Sequence, residues 1–228
     1  MRKRKRFIRK IGDMTSQTIS LLALLRRHTS EHGDRLAHQL PHRTITYRRL
    51  WSRIERASAR LQGEWGVQAG ATLAYVGNAH PDAMVLYFAL LRIGAVLLPL
   101  EGRSTQAAQA LCSEQGVSLV VHDEGRTIPD VPARPLALLL EDWCHFDPVL
   151  VPDDPAQPLL WLTTEHAQPK AVSLNDLCVD LPAEPQSSFV ADRLFTTEML
   201  TKVVFPCLYL ARPMQFAAIE TLQKSATS

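Results

Sequence analysis

A chain of 228 residues that is 46% hydrophobic is long enough for one large domain or two small ones with a packed core, which excludes a disordered or fibrous protein. The formal charge of +2 has a local origin: residues 2–10, RKRKRFIRK, hold seven of the 25 Lys and Arg, leaving 18 basic against 23 acidic side chains elsewhere. Such a short terminal run reads as a solvated tail over 1–13 and argues against a nucleic-acid or anionic-surface binder.

From Thr18 the pattern is helical, with Leu21, Leu22, Leu24 and Leu25 on one side and Gly33 placed to end the helix. The apolar run 19–25 is no secretory signal, because Gly12, Asp13, Thr15, Ser16 and Gln17 separate it from the basic cluster and Arg26, Arg27 and His28 follow it. The expected location is therefore the cytoplasm, with Met14 an alternative start. A short strand is predicted over 44–47, and Thr46 then caps a helix. Leu50, Ile54, Ala57 and Leu61 recur along it every three or four positions, Arg49, Arg53, Arg56 and Arg60 face elsewhere, and Gly63 and Gly66 close it.

The next fifty residues alternate most regularly. They read as a strand over 72–76, a helix over 82–93 stopped by Gly94, a strand over 95–99, a helix opened by Ser104 or Thr105 and ended by Gly116, and an apolar strand over 117–121. Within this stretch the apolar run 84–100 is only 17 residues and is interrupted by Arg92, Gly94 and Pro99, short of the ~20 a spanning helix needs, so no transmembrane segment is expected. Strand–helix–strand–helix–strand order with right-handed crossovers gives a doubly wound α/β fold, a mainly parallel sheet with helices on both faces.

Seven of the 15 prolines fall between residues 128 and 158, marking the expected boundary between a first subdomain over 14–150 and a partial second one over 151–228. One further strand is predicted over 135–140 and another over 159–163, followed by a loop to Lys170. Beyond Val172 no periodicity is readable until an apolar run at 203–210.

Residues 44–100, TITYRRLWSRIERASARLQGEWGVQAGATLAYVGNAHPDAMVLYFALLRIGAVLLPL, resemble the N-terminal subdomain of the adenylate-forming ligases, which include AMP-forming acyl-CoA synthetases, fatty acyl-AMP ligases and peptide-synthetase adenylation domains. Thr46, Tyr47, Leu50, Gly66, Gly70, Asn78, Gly94, Ala95, Val96, Pro99 and Leu100 carry the match in register and without a gap, and it continues more weakly to His122 and Asp123. The resemblance implies ATP and Mg²⁺ as cofactors and activation of a carboxylic acid through an acyl adenylate. It leaves the acid and any use of CoA open.

In that family a glycine-rich loop wraps the ATP phosphates, and the stretch LTTEHAQPKA stands in its place. Thr163, Thr164 and Lys170 are the candidate phosphate-binding residues by this resemblance. A phosphate-wrapping loop needs glycine where the backbone turns to positive φ or passes close to the nucleotide. Thr164, Ala167 and Ala171 occupy those places, and Glu165 brings a negative charge towards polyphosphate, unfavourable by roughly a kcal/mol at contact. No glycine occurs after Gly125, although ~7% usage would place about seven there. The loop reads either as a polar turn with Lys170 solvated or as a weakened anion site.

Nothing over 172–228 matches the family's later elements. The expectation is a truncated or diverged synthetase with little activity alone and no catalytic residue of its own. The alternative is a non-catalytic module that pairs with itself or with a complete ligase. Cys112, Cys144, Cys178 and Cys207 lack metal-ligand spacing and read as buried hydrophobes, so no metal site is expected. The acidic pairs Asp123–Glu124, Glu141–Asp142 and Asp153–Asp154 read as solvated loops, and no nucleophile elbow, dinucleotide fingerprint or Walker loop is present.

Overall fold

A computed structural model describes residues 20–123, 125–141, 144–152, 154, 156, 158–162, 170–177, 189–190 and 193–216. The basic tail, Cys178 and the segment 163–169 lie outside the described residues. Helix α1 (Leu21–His32) begins at Ser20, whose hydroxyl accepts from the Ala23 N–H at 3.1 Å. A hairpin of β1 (Leu36–Gln39) and β2 (Thr44–Thr46) leads into α2 (Tyr47–Gly63), capped as expected by Thr46, which accepts from the Arg49 N–H. Then come β3 (Thr72–Val76), α3 (Pro81–Ile93), β4 (Val96–Pro99), α4 (Thr105–Glu114) and β5 (Val117–His122). These reproduce the expected alternation to within a residue or so.

Local chemistry accounts for those boundaries. Pro81 sits in the first turn of α3, where a missing N–H costs nothing, and Gly94 ends the helix in the left-handed region at φ 75°, with the Ala95 N–H returning to Leu90 O at 2.9 Å. Ser104 caps α4. In α3 every residue except Asp82 is buried, as a helix apolar all round must be.

The six-stranded sheet has the order β6-β5-β3-β4-β7-β8, where β6 is Ala133–Pro135, β7 is Pro158–Leu162 and β8 is Lys170–Ser173. All its pairings are parallel except β7 with β8. Side chains alternate across it. Leu73 and Tyr75 join a large core with α1, α2 and α3, while Ala74 and Val76 join a smaller one with Ala108 and Cys112 of α4. Both faces are covered, which is what apolar parallel strands require. The fold is the expected doubly wound α/β arrangement.

A second sheet, β2-β1-β10-β9, joins the N-terminal hairpin to β9 (Phe189–Val190) and β10 (Met214–Phe216), with β1 and β10 parallel and His38 opposite Met214. Between β9 and β10 runs one continuous helical rod: α6 (Thr197–Met199), a π-helical stretch Leu200–Val204, and α7 (Phe205–Tyr209). Its cause is local. Pro206 has no N–H to give, its ring crowds the preceding turn, and the Phe205 N–H bonds five residues back to Leu200 O. Between β8 and β9 a short α5 (Leu174–Leu177) is started by a reciprocal cap, Ser173 with Asp176.

Three expectations are corrected. Residues 136–140 form a 3₁₀ helix, with only the short β6 before it, because Leu136 and Leu139, three apart, are the buried pair there. Arg53 and Arg60, expected to face elsewhere than the apolar stripe, are nonetheless buried: 7% and 6% exposed, they bond to Asp82 and to Leu138 O respectively. Cys144 is half-buried, whereas Cys112 and Cys207 are buried as expected.

Candidate functional site at the carboxyl ends of the parallel strands

In the order β5-β3-β4 the chain leaves β3 to one side through α3, then returns through α4 to the other side, on the opposite face. The crevice beyond the carboxyl ends of β3 and β5 is thus the switch point of the sheet, where open α/β sheets bind ligands. Three short segments converge there: Gly77–Asn78 after β3, Glu101–Gly102 after β4, and Asp123 after β5.

Asp123 organises the crevice. One of its carboxylate oxygens accepts from the Asn78 N–H at 2.7 Å and from the Tyr75 hydroxyl at 3.4 Å, and that hydroxyl lies 2.8 Å from Asn78 O, to which it can donate. Asp123 is therefore not the solvated loop residue expected from its acidic neighbourhood. Burial, then the charge of Asp123, pushes the Tyr75 hydroxyl far above its ordinary range, so it stays a neutral donor. A side chain at Gly77 would place its Cβ 2.4 Å from the Tyr75 oxygen and 2.5 Å from Asp123 Cγ, so this turn requires glycine.

Glu101 is the second carboxyl. It accepts from the backbone N–H groups of Phe195 and Leu194 and sits beside Arg193, yet burial dominates and pushes it up to about 8. Its Oε1 is buried without a hydrogen-bond partner, as is Oδ1 of Asp123. The crevice thus presents one carboxyl held above the ordinary carboxylate range close to a second that anchors the backbone.

At the start of α3 a further polar group is internally paired. Asp82 bonds to Arg53, lies 3.8 Å from Arg43 Nη2, and donates its backbone N–H to Nδ1 of His80 at 3.1 Å. His38 lies alongside, wholly buried with neither ring nitrogen bonded, and burial followed by the Arg53 charge pushes it down to about 3. Among the described residues no group of three His, Cys, Asp or Glu has the geometry to hold a metal.

Of the expected phosphate-binding residues the described sheet holds Lys170 alone. Leu160 pairs with Leu97 in the parallel direction and Leu162 pairs with Lys170, so both ends of the 163–169 connection stand level with Pro99, at the same carboxyl edge. Lys170 is exposed at the first position of β8. Thr163 and Thr164 lie outside the described residues. Tyr75, Glu101, Asp123 and Arg193 escaped sequence reasoning because nothing in their spacing links them; strand order alone brings them together.

Residues 25–187 match the family model described as AMP-binding enzyme. The chain belongs to that family. As an AMP-binding family member it is similar to the D-alanine–D-alanyl carrier protein ligase of Bacillus licheniformis, 21% identical over 83% of this chain and 41% of that one. It also resembles the indoleacetate–CoA ligase of Aromatoleum aromaticum, 31% identical over 34% and 15%. Its fold superimposes on unliganded O-succinylbenzoate coenzyme A synthetase of Bacillus subtilis with a TM-score of 0.73 at 14% identity, covering 89% of this chain and 46% of the other. The N-terminal subdomain of Klebsiella oxytoca NpsA, bound to 3-hydroxyanthranilyl-AMSN, gives 0.71 at 20% identity, covering 91% and 58%. The chain spans less than half the length of the curated relatives it matches.

Proposed function

We propose that this family member is built on the acid-activating ligase plan but engages ATP weakly, so that on its own it converts a carboxylic acid and ATP to acyl adenylate and pyrophosphate slowly or not at all. The observation behind the reading is the edge of the sheet: it supports placing the phosphate connection beside an exposed Lys170, while Thr164, Ala167 and Ala171 fill the places where glycine would admit phosphate. In the reaction a carboxylate oxygen attacks the α-phosphorus as the bond to pyrophosphate breaks. Stabilising that developing charge takes cations held in place. Lys170 fits that role towards the ATP phosphates, and Mg²⁺ would reach the site on the nucleotide, since the described residues offer no ligand set for it.

ATP–pyrophosphate exchange across aryl, fatty and amino acids measures this directly. The expected exchange is at least about a hundredfold below that of a competent ligase, and Lys170→Ala removes what remains. Exchange at a competent rate, unaffected by Lys170→Ala, would overturn the reading.

A second reading makes the chain a module working with a protein partner. One solved neighbour, an artificially fused adenylation–PCP di-domain from K. oxytoca, superimposes over 90% of this chain with a TM-score of 0.70. Light scattering after size exclusion tests self-association; a monomer at all concentrations removes that form of the idea.

A further inference from the structure

Among the described residues the large apolar side chains left in solvent are Phe146, Val149 and Leu150, at 43%, 74% and 40% exposure. All three belong to one short segment that lies along the last turns of α2. Phe146 packs so closely on Gly63 that a Cβ there would lie 2.6 Å from its Cβ and Cγ. Gln62 donates to Val149 O at 3.2 Å, and the Val151 N–H returns to Arg92 O at 3.3 Å. Exposed apolar residues gathered in this way mark a surface that another surface covers.

The rest of this face is charged, and the charge is divided along its length. Arg48, Ser52, Glu55 and Gly63 recur at helical spacing and are all exposed, which defines the outer side of α2. At its start Arg48 and Arg49 stand in a first turn that holds no acidic residue, so they oppose the positive end of their own helix dipole. Asp34 lies 3.3 Å from Arg48 there, and Arg26 of α1, also exposed, adds a third guanidinium 5.3 Å from the Trp51 ring centre. Towards the other end carboxylates dominate the surface. Glu55 and Glu64 are each 47% exposed, whereas Arg92 and Arg60, which pair with them, are turned inward. Asp147 is exposed between Phe146 and Val149.

We propose, building on the self-association reading, that this face joins two copies of the chain about a two-fold axis, with their α2 helices antiparallel. From Arg48 to Glu64 is about 24 Å at ~1.5 Å per residue. Turning the second copy end for end brings the Arg26, Arg48 and Arg49 end of each onto the Glu64 and Asp147 end of the other. The same contact is then made twice, as an isologous interface requires. The other copy's carboxylates and the negative end of its α2 offset the arginines of the first turn. Phe146, Val149 and Leu150 are covered by the open half of the other copy's α2, around Trp51 and Ser52. An anionic bilayer or a nucleic acid is a poorer fit, because it would meet Glu55, Glu64 and Asp147 beside the apolar residues.

Light scattering after size exclusion and sedimentation equilibrium on the full chain test this. The parent should be a dimer at micromolar concentration. Val149→Asp and Arg49→Glu should each raise its dissociation constant by about tenfold or more, with Tm unchanged because both side chains are exposed. Adding Asp147→Arg to Arg49→Glu should recover part of the loss, since opposite charges meet again. A parent that stays monomeric at all concentrations, whether or not it binds anionic vesicles, overturns both this surface and the self-association reading. A dimer that neither single variant weakens overturns the surface and leaves that reading standing. A double variant weaker than Arg49→Glu alone defeats the antiparallel arrangement.

Discussion

Residues 72–122 and residues 158–216 share the six-stranded sheet and the large core, yet the chain specifies them in different ways. In the first region strands pair across one or two helices: β3 with β4 across α3, and β3 with β5 across α3 and α4. Each helix there carries its own cap and stop, His80 and Gly94 for α3, Ser104 and Gly116 for α4. In the second region partners are distant. Strand β7 joins β4, and β10 joins β1 from the opposite end of the described chain. The local signals also conflict with the structure, with Pro206 inside a helix and Ala211 at φ 50°. One region is written into its own sequence; the other is held in place by what it packs against.

The widest test of that contrast is whether the two regions unfold together. Phe88 of α3 and Phe205 of the rod are both 0% exposed and belong to one apolar cluster. Truncating a core Phe to Ala costs about 3–5 kcal/mol. Phe88→Ala and Phe205→Ala should each lower stability by that amount in urea unfolding, with one transition and an unchanged slope. A second, earlier transition in Phe205→Ala alone would mean that the rod is a separate cooperative unit and that the comparison understates its independence.

The same contrast explains what could be read in advance. Leu50, Ile54, Ala57 and Leu61 were legible as a buried stripe because helical spacing alone decides which side they share, and Gly94 because its stop is a local backbone requirement. Arg53 was not legible as buried: its partner Asp82 lies 29 positions on, and only the packing of α2 on α3 makes a guanidinium acceptable inside. Strand order likewise decides the candidate site. Asp123 looks like any loop carboxylate until β3 and β5 become neighbours and its oxygen meets the Asn78 N–H. The expected phosphate connection could be proposed only from the order of residues in LTTEHAQPKA, a covalent pattern. Glu101 and Arg193 carry no such mark.

A medium-sized effect should come from His38, where the second region meets the N-terminal hairpin: β1 carries it, and Phe216 of β10 packs its ring 5.3 Å away. The imidazole is wholly buried and pushed down to about 3 from its ordinary 6.5. Its stabilisation is therefore complete above 6.5 and is lost as pH falls towards 3, because the unfolded chain takes up the proton first. Between pH 7 and pH 4 this loss is on the order of 3 kcal/mol. His38→Leu, which also removes two unbonded ring nitrogens, should flatten the acid limb of stability measured by thermal unfolding. A variant as acid-sensitive as the parent would show that the imidazole finds a partner or solvent in solution.

The smallest expected change bears most directly on how the second region is specified. The rod ends with the Arg212 N–H returning to Cys207 O at 2.8 Å, across Ala211 at φ 50°. That is a helix stop of the kind glycine makes at Gly94, made here by a residue whose Cβ opposes it by about 1–2 kcal/mol. Replacing Ala211 with Gly relieves that opposition but gives the unfolded chain more freedom, about 0.4–1 kcal/mol in the other direction. A net gain of about 0.5 kcal/mol is expected, read as a small upward shift in Tm. A matching Gly94→Ala exchange should move stability down by a comparable or larger amount, since it imposes on the first region the strain the second already carries. If Ala211→Gly instead destabilises, the strain at 211 is compensated by the Ala211 side chain packing against the large core, and the rod's end is fixed by contact rather than by its backbone.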